Sequence, residues 1–211
     1  MNIPKGLIVS CQIESDSNFD SDDVTSFALE AIRGGCIGLR IEGSKNVIKV
    51  KEKTNIPIIG LTKSVYENGY VYITPSFEDG MELWKSGSDY IAVDATGRRG
   101  YNHIKRLYEE GVSLIGDISN FDEAKFAIEN GCCCLTTALS GYTEKCEPSA
   151  EPDYDLLERL VSSFPEVPIL AEGRYWERHQ VKSAFNLGAY SVVVGSAITR
   201  PHLITERLRG I

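Results

Sequence analysis

Histidine is nearly absent from this 211-residue chain: His103, His179 and His202 are all there are. Catalytic zinc leans on imidazole, and these three follow turn or charged residues in helix-like contexts, so no metal centre is expected. Long apolar runs are missing too. None approaches the roughly 20 residues that a helix needs to cross a bilayer. Positive charge is in deficit, with 22 Lys and Arg against 30 Asp and Glu and a formal net charge of -8. A field of that sign repels phosphate backbones and anionic lipid surfaces, which argues against nucleic acid and membranes as partners. A small anion is not excluded, because one or two arginines and a few backbone N–H groups suffice to hold it. No G-x-G-x-x-G follows the first apolar run and no G-x-x-x-x-G-K-[ST] occurs anywhere, so no nucleotide cofactor is expected.

The stretch Met1–Asp16 contains one short apolar segment, Gly6–Cys11, and a single Lys5. That is too little for a secretion signal, and a cytoplasmic protein is expected. The six cysteines agree with a reducing compartment. Three are consecutive, Cys132, Cys133 and Cys134, and adjacent cysteines neither bridge nor chelate well, so they read as reduced core thiols.

What is present is an ordinary globular composition, 42% hydrophobic and 25% charged, with ample material for the core of one domain. Eight short apolar or β-branched runs recur: Gly6–Gln12, Cys36–Ile41, Pro57–Lys63, Tyr90–Thr96, Ser113–Ser119, Cys132–Leu139, Val167–Arg174 and Ser191–Ile198. Runs this apolar suit strands buried on both faces. Segments with helical spacing lie between them, such as Val24-Phe27-Ala28-Ala31-Ile32 and Leu156-Leu157-Leu160-Val161. Helix-like segments close on Gly34-Gly35, Gly87, Gly111, Gly131 and Gly188 just before the next strand, and Ser21-Asp22-Asp23, Ser119-Asn120 and Pro152-Asp153 supply capping side chains at helix starts. Eight βα units of roughly 25 residues predict a (β/α)8 TIM barrel, a single domain over residues 1–211. A doubly wound sheet is the alternative, but it needs a topological switch and normally fewer strands.

Two segments exceed the plain repeat. Tyr66–Pro75 reads as an extra turn and short strand, Val71-Tyr72-Ile73, and Tyr142–Pro152 as a longer polar loop. Both emerge at the carboxyl ends of strands, where a barrel keeps its site.

Polar residues ending otherwise apolar strands border those loops: Gln12, Arg40, Lys63, Asp94, Asp117, Glu172 and Arg200. Desolvation among apolar strands lowers a lysine's pKa toward that of a usable base, which makes Lys63 the candidate for proton transfer; a lysine snorkelling to solvent is the plain alternative. Glu172 is suited to act as acid or base, or to hold the Lys63 ammonium, with a structural pair to Arg174 as the competing reading. Gly173, Arg174, Gly195 and Ser196 lie after the seventh and eighth strands, where glycine admits close backbone approach to an anion and Pro201 favours a helix start. Phosphate binding at those two loops recurs in barrels. A lysine and a glutamate facing a sugar-phosphate-sized site point to proton transfer next to a carbonyl.

In order along the chain, Pro4-Lys5-Gly6-Leu7-Ile8-Val9-Ser10-Cys11-Gln12, Val71-Tyr72-Ile73-Thr74-Pro75, Val93-Asp94-Ala95-Thr96, Gly116-Asp117-Ile118-Ser119, Leu139-Ser140-Gly141-Tyr142-Thr143, Ala171-Glu172-Gly173-Arg174 and Val194-Gly195-Ser196-Ala197-Ile198-Thr199-Arg200-Pro201 resemble the N-acylmannosamine-6-phosphate 2-epimerase family of bacterial sialic acid breakdown. The resemblance covers essentially the whole chain. It implies a TIM barrel that interconverts N-acetylmannosamine 6-phosphate and N-acetylglucosamine 6-phosphate without a cofactor. It further implies Lys63 as the proton-transfer residue at C2 and Glu172 as its carboxylate partner. Gln12, Arg40 and Asp117 would contact the sugar, and Gly173, Arg174, Gly195 and Ser196 the phosphate, with Arg200 nearby. Asp94 matches a family motif, and a role in substrate binding is inferred from its strand end. The chain departs from the family at Ile41-Glu42-Gly43, where Ala-Asn is commoner after the arginine, and at Thr136-Thr137-Ala138-Leu139.

Other readings remain at this level: a different phosphate-binding barrel such as a sugar-phosphate isomerase or decarboxylase, or a catalytically silent barrel that binds a sugar phosphate and regulates. A zinc-dependent pentulose-phosphate epimerase would want strand-end histidines, which are lacking. A homodimer is the expected assembly, since barrels often pair through outer helices.

Overall fold

The computed structural model describes residues 3–14, 17–66, 69–144, 146–147 and 149–210. Parts of three segments singled out in the sequence, Met1, Asn2, Ser15 and Asp16 in the first, Glu67 and Asn68 in the second, Lys145 and Pro148 in the third, lie outside the described residues, as does Ile211. In chain order the elements are β1 (Leu7–Cys11), α1 (Ser21–Arg33), β2 (Gly38–Glu42), α2 (Ser44–Lys51), β3 (Ile58–Leu61), β4 (Lys63–Val65), β5 (Val71–Ile73), α3 (Phe77–Lys85), β6 (Tyr90–Asp94) and α4 (Asn102–Glu109). They continue with β7 (Leu114–Asp117), α5 (Phe121–Glu129), β8 (Cys132–Thr136), α6 (Tyr154–Ser163), β9 (Ile169–Glu172), α7 (Arg178–Asn186), β10 (Ser191–Val194), α8 (Ser196–Thr199) and α9 (Pro201–Arg209). Each of the eight apolar runs becomes a barrel strand, and the strands close in the order β1-β10-β9-β8-β7-β6-β3-β2, all parallel. The fold is a single-domain (β/α)8 TIM barrel.

Strand side chains alternate between two cores, which is why both faces are apolar. Ile8, Ile59, Leu61, Tyr90, Ala92, Ile115, Cys134, Leu170 and Val193 fill the barrel. Val9, Leu39, Ile41, Ile58, Ile91, Val93, Leu114, Leu135, Ile169 and Val192 face the helices, meeting Val24, Ala28, Leu83, Leu107, Ala124, Leu157 and Ala184. The cysteine run falls on this boundary. Leu114 pairs with Cys132 and Ile115 with Cys134, so Cys133 is the extra residue of a β-bulge, its thiol within 3.1 Å of the Leu114 carbonyl oxygen. The bulge puts Cys132 in the outer core and Cys134 in the inner one. Burial pushes all three thiols up, so they are inert as nucleophiles. The described cysteines are all free.

The helix punctuation matches the sequence with two adjustments. Gly35, Gly87, Gly111, Gly131 and Gly188 have positive φ, whereas Gly34 is right-handed. Asn120 and Asp153 cap α5 and α6 as expected, but the cap of α1 is Asp20 rather than Ser21: its carboxylate accepts from the Asp22 and Asp23 N–H groups, and the Asp20 N–H donates to the Asp23 carboxylate.

Lys63 does not end the third barrel strand. It opens β4, which pairs antiparallel with β5 in a hairpin outside the closed sheet. At the hairpin base Thr62 and Thr74 bond each other: the Thr74 N–H donates to the Thr62 carbonyl at 2.9 Å, and the Thr62 N–H to the Thr74 hydroxyl at 3.1 Å. Strand β4 carries no periodic signal, because Lys63-Ser64-Val65 is too short and too exposed for one. Among the described helices α9 is the one with no buried side chain.

Candidate active site

The same alternation that fills the barrel delivers the polar side chains to its mouth. Inward positions run 8, 10, 12 on β1 and beyond, 40 and 42 on β2, 115 and 117 on β7, 134 and 136 on β8, and 170 and 172 on β9. Apolar at the floor, they turn polar at the carboxyl ends, and there a cavity of about 1170 Å³ opens. Gln12, Arg40, Lys63, Asp117, Glu172, Gly173, Arg174, Gly195, Ser196 and Arg200 all line it. Glu42, absent from the sequence candidates, lines it too.

Arg40 is the hub. Its Nη2 meets Asp117 Oδ2 at 2.5 Å and its Nη1 meets Asp117 Oδ1 at 3.2 Å and Glu172 Oε2 at 2.8 Å. The guanidinium is 3% exposed and Asp117 is fully buried. Burial pushes the Asp117 carboxyl up, to about 7, against the pull of Arg40; with the guanidinium forked over both oxygens, the ionised form is the one this geometry fits. The charges of both carboxylates in turn hold Arg40 above its ordinary value against the cost of burial. Glu172 also accepts from the Thr136 hydroxyl at 3.1 Å, while Thr137 bonds its backbone at both N–H and carbonyl. The pair with Arg174 considered from sequence does not form, because Arg40 takes that carboxylate.

Lys63 sits across the mouth. Its closest carboxylate is Glu42, with Nζ 3.8 Å from Oε2; Glu172 acts on it only at longer range. Of the readings open for Glu172, a direct hold on the Lys63 ammonium is not formed here; Glu42 is the nearer carboxylate. Burial lowers the lysine's pKa, Glu42 opposes that, and the positive charges of Arg200 and Arg40 reinforce it. Glu42 is pushed up by burial, with Lys63, Arg200 and Arg40 pulling it down. The signal that would have found Glu42 was on the page: it lies two residues past Arg40, on the same face of β2.

Asp94 is placed differently from the rest. It does not line the cavity; its carboxylate is taken by Arg98 at 2.5 Å and by the Thr96 hydroxyl and N–H. Arg98 continues outward, lying 4.1 Å from the Tyr72 ring centre and donating to the Val71 carbonyl at 3.1 Å. In this structure the carboxylate expected from its strand end to meet substrate is engaged instead in a brace between β6 and the hairpin.

At the other rim, Gly173 has φ 104° and Arg174 φ 63°, a left-handed pair that turns the chain sharply out of β9. The Arg174 guanidinium donates to the carbonyls of Glu151 at 2.7 Å and Ser140 at 2.6 Å, pinning the long loop after β8. Its side chain is engaged structurally even as it lines the cavity. Gly195 and Ser196 stand where β10 enters the first turn of α8, and the helix's opening N–H groups have no intrahelical acceptors. Arg200 pairs with Glu14 at 2.9 Å, and Glu14 also meets His202 at 3.1 Å. Gln12 donates from Nε2 to the Ser10 hydroxyl at 2.7 Å. Among the described residues no group of three or more His, Cys, Asp or Glu side chains is placed to hold a metal, and no helix is long and apolar enough to cross a membrane.

A TIM barrel that gathers an amine, guanidinium groups and carboxylates at the carboxyl ends of its strands has the build of an acid–base enzyme for a small polar ligand. The comparisons narrow this. Residues 24–210 match the family model described as "NanE: Putative N-acetylmannosamine-6-phosphate epimerase", and the chain belongs to that family. A relative from Clostridioides difficile (strain 630), named "Putative N-acetylmannosamine-6-phosphate 2-epimerase", is 43% identical over 95% of this chain and 93% of its own. One of the same name from Pasteurella multocida (strain Pm70) is 40% identical over 96% and 90%. A solved structure described as the N-acetylmannosamine-6-phosphate 2-epimerase from Clostridium perfringens superposes with a TM-score of 0.90 at 37% identity, covering 97% of this chain and 92% of that one.

Proposed function

We propose that this protein interconverts N-acetylmannosamine 6-phosphate and N-acetylglucosamine 6-phosphate by moving a proton at C2, in the cytoplasmic breakdown of sialic acid. The observation that carries the reading is Lys63: an amine with a lowered pKa, in a cavity that it shares with the Arg40–Asp117–Glu172 network.

The chemistry follows from the substrate. In the closed sugar the C2 hydrogen is not acidic; in the open chain it lies next to the C1 aldehyde. Neutral Lys63 takes that proton, the C–H electrons move into an enolate, and charge builds on the C1 oxygen. Cationic and N–H donors in the mouth, Arg40 foremost, stabilise that oxygen. Return of a proton to the opposite face inverts C2. Glu172, held at one oxygen by Arg40 and Thr136, is the carboxylate that serves ring opening, and Gln12 and Asp117 orient the sugar. The backbone of Gly173, Gly195 and Ser196 cradles the phosphate, with Arg174 and Arg200 supplying positive charge at that rim. No step calls for a cofactor.

The test is a proton NMR time course of N-acetylmannosamine 6-phosphate with the protein in deuterated buffer, beside Lys63→Ala. Conversion to the gluco epimer with deuterium at C2, lost by at least about 1000-fold in Lys63→Ala, is the expected result for removal of an acid–base group. A folded wild-type protein that yields neither epimer nor exchange overturns the reading.

A further inference from the structure

We propose that Glu42 is the positioning carboxylate of Lys63: it holds the amine in the barrel mouth and supplies the negative charge that decides when the amine gives up its proton. This rests on the functional reading above and assigns to Glu42 a part that the sequence resemblance gave to Glu172.

Three observations carry it. Geometry comes first, since Glu42 Oε2 lies 3.8 Å from Lys63 Nζ and both side chains line the cavity. Second, the Glu42 carboxylate accepts no hydrogen bond among the described residues, although its side chain is only 26% exposed. Its backbone carbonyl, by contrast, is used by the Asn46 amide. A half-buried carboxylate that spends no bond on the fold has the lysine as its one close ion-pair partner. Third, Glu172 is already committed, with Arg40 and Thr136 on the same oxygen. Its charge is largely cancelled by the guanidinium before it reaches Lys63.

The charges facing Lys63 come from three sides: Glu42 and Arg40 from β2, Glu172 from β9, and Arg200 from the turn into α9. Glu42 in turn faces Lys63, Arg200 and Arg40. Two of Lys63's neighbours push it toward the free amine and two toward the ammonium, and of the latter pair Glu42 is the stronger influence. Only the free amine can take a proton from carbon, so Glu42 sets the lower edge of the working pH range.

The experiment compares wild type, Glu42→Gln and Glu42→Asp. The pH dependence of kcat/KM reports the free enzyme's titration, and 15N NMR of the Lys63 Nζ in the unliganded protein reads the same group without substrate. Removing the negative charge in Glu42→Gln is expected to move both the acid limb and the Nζ midpoint down by about one pH unit, because an opposite charge at this distance favours the ammonium. Glu42→Asp keeps the charge, so its midpoint returns toward wild type while kcat stays reduced through the shortened reach. An Nζ midpoint in Glu42→Gln equal to or above that of wild type overturns the proposal. Because the Nζ titration needs no substrate, a downward shift there beside a wild-type protein that epimerises nothing would overturn the functional reading alone.

Discussion

Two cation–carboxylate groups share the barrel mouth and are built on opposite terms. Arg40, Asp117 and Glu172 are 3%, 0% and 15% exposed at their side chains and meet at 2.5 and 2.8 Å. Lys63 and Glu42 are 30% and 26% exposed and stand 3.8 Å apart. The Arg40–Asp117 pair is locked: both partners are within bonding distance, and moving a proton between them would leave a buried charge without compensation. Glu172 is tied to that pair at Oε2 but is the most exposed of the three. The Lys63–Glu42 pair has a gap and access to solvent, so its protonation can change without undoing the fold. A fixed charge belongs with Arg40 and Asp117, and a group that must exchange a proton with substrate belongs at the more open edge.

The comparison is broken most forcefully from the locked side. Arg40→Met leaves Asp117 buried without its cation and is expected to cost about 3–5 kcal/mol of stability in denaturant unfolding, with activity lost. The sign of its pH dependence follows from Asp117. Burial already pushes that carboxyl up to about 7 with Arg40 present, and without the guanidinium it goes higher. Its raised folded value means that the variant's stability is best at low pH, where the group is discharged, and falls as pH rises through that value. A deficit that grows on acidification would contradict this account.

A smaller effect is expected at the brace. Arg98→Lys keeps a positive charge near Asp94 but loses the guanidinium's combined reach to Asp94, Thr96 and Val71 and its place over the Tyr72 ring. Since the brace positions the hairpin that carries Lys63, kcat should fall about tenfold, the equivalent of one charge-assisted hydrogen bond of ~1.5 kcal/mol, with KM little changed. Steady-state kinetics at saturating substrate settles it, and an unchanged kcat would separate the hairpin's position from the chemistry. The smallest change belongs to Cys133→Ala. The residue is the spare one in the β8 bulge, so thermal unfolding should register less than about 1 kcal/mol and turnover should stay near wild type.

The barrel was legible because its signal is periodic. Eight apolar runs, glycine-closed helices and capping residues each depend on neighbours in sequence, and the eight strands stand where the runs do. The polar strand ends were legible for the same reason: Arg40, Asp117 and Glu172 continue the inward series of their strands. Pairings across the barrel were not. Whether Lys63 meets Glu172 or Glu42 depends on how strand β3 gives way to a hairpin, and three short residues of β4 leave no pattern to read. Asp94 illustrates the converse. Its position at a strand end was read correctly, but its partner four residues away in the following loop captures it. Glu42 was visible as a departure from the related family in the second strand's loop, and its meaning needed the distance to Nζ.

The hairpin has a consequence for how the site is put together. Lys63 is its first residue, and the segment up to Ile73 leaves and rejoins the chain at the Thr62–Thr74 contact without taking part in the closed cylinder. The Lys63 amine is thus carried on a hairpin tied in at one contact, while the Arg40 guanidinium and the Asp117 and Glu172 carboxylates are cast into the wall. In the proposed reaction the group that moves the proton and the groups that face it therefore belong to separately built parts, and a change in the hairpin shifts the amine with the cylinder itself left unaltered.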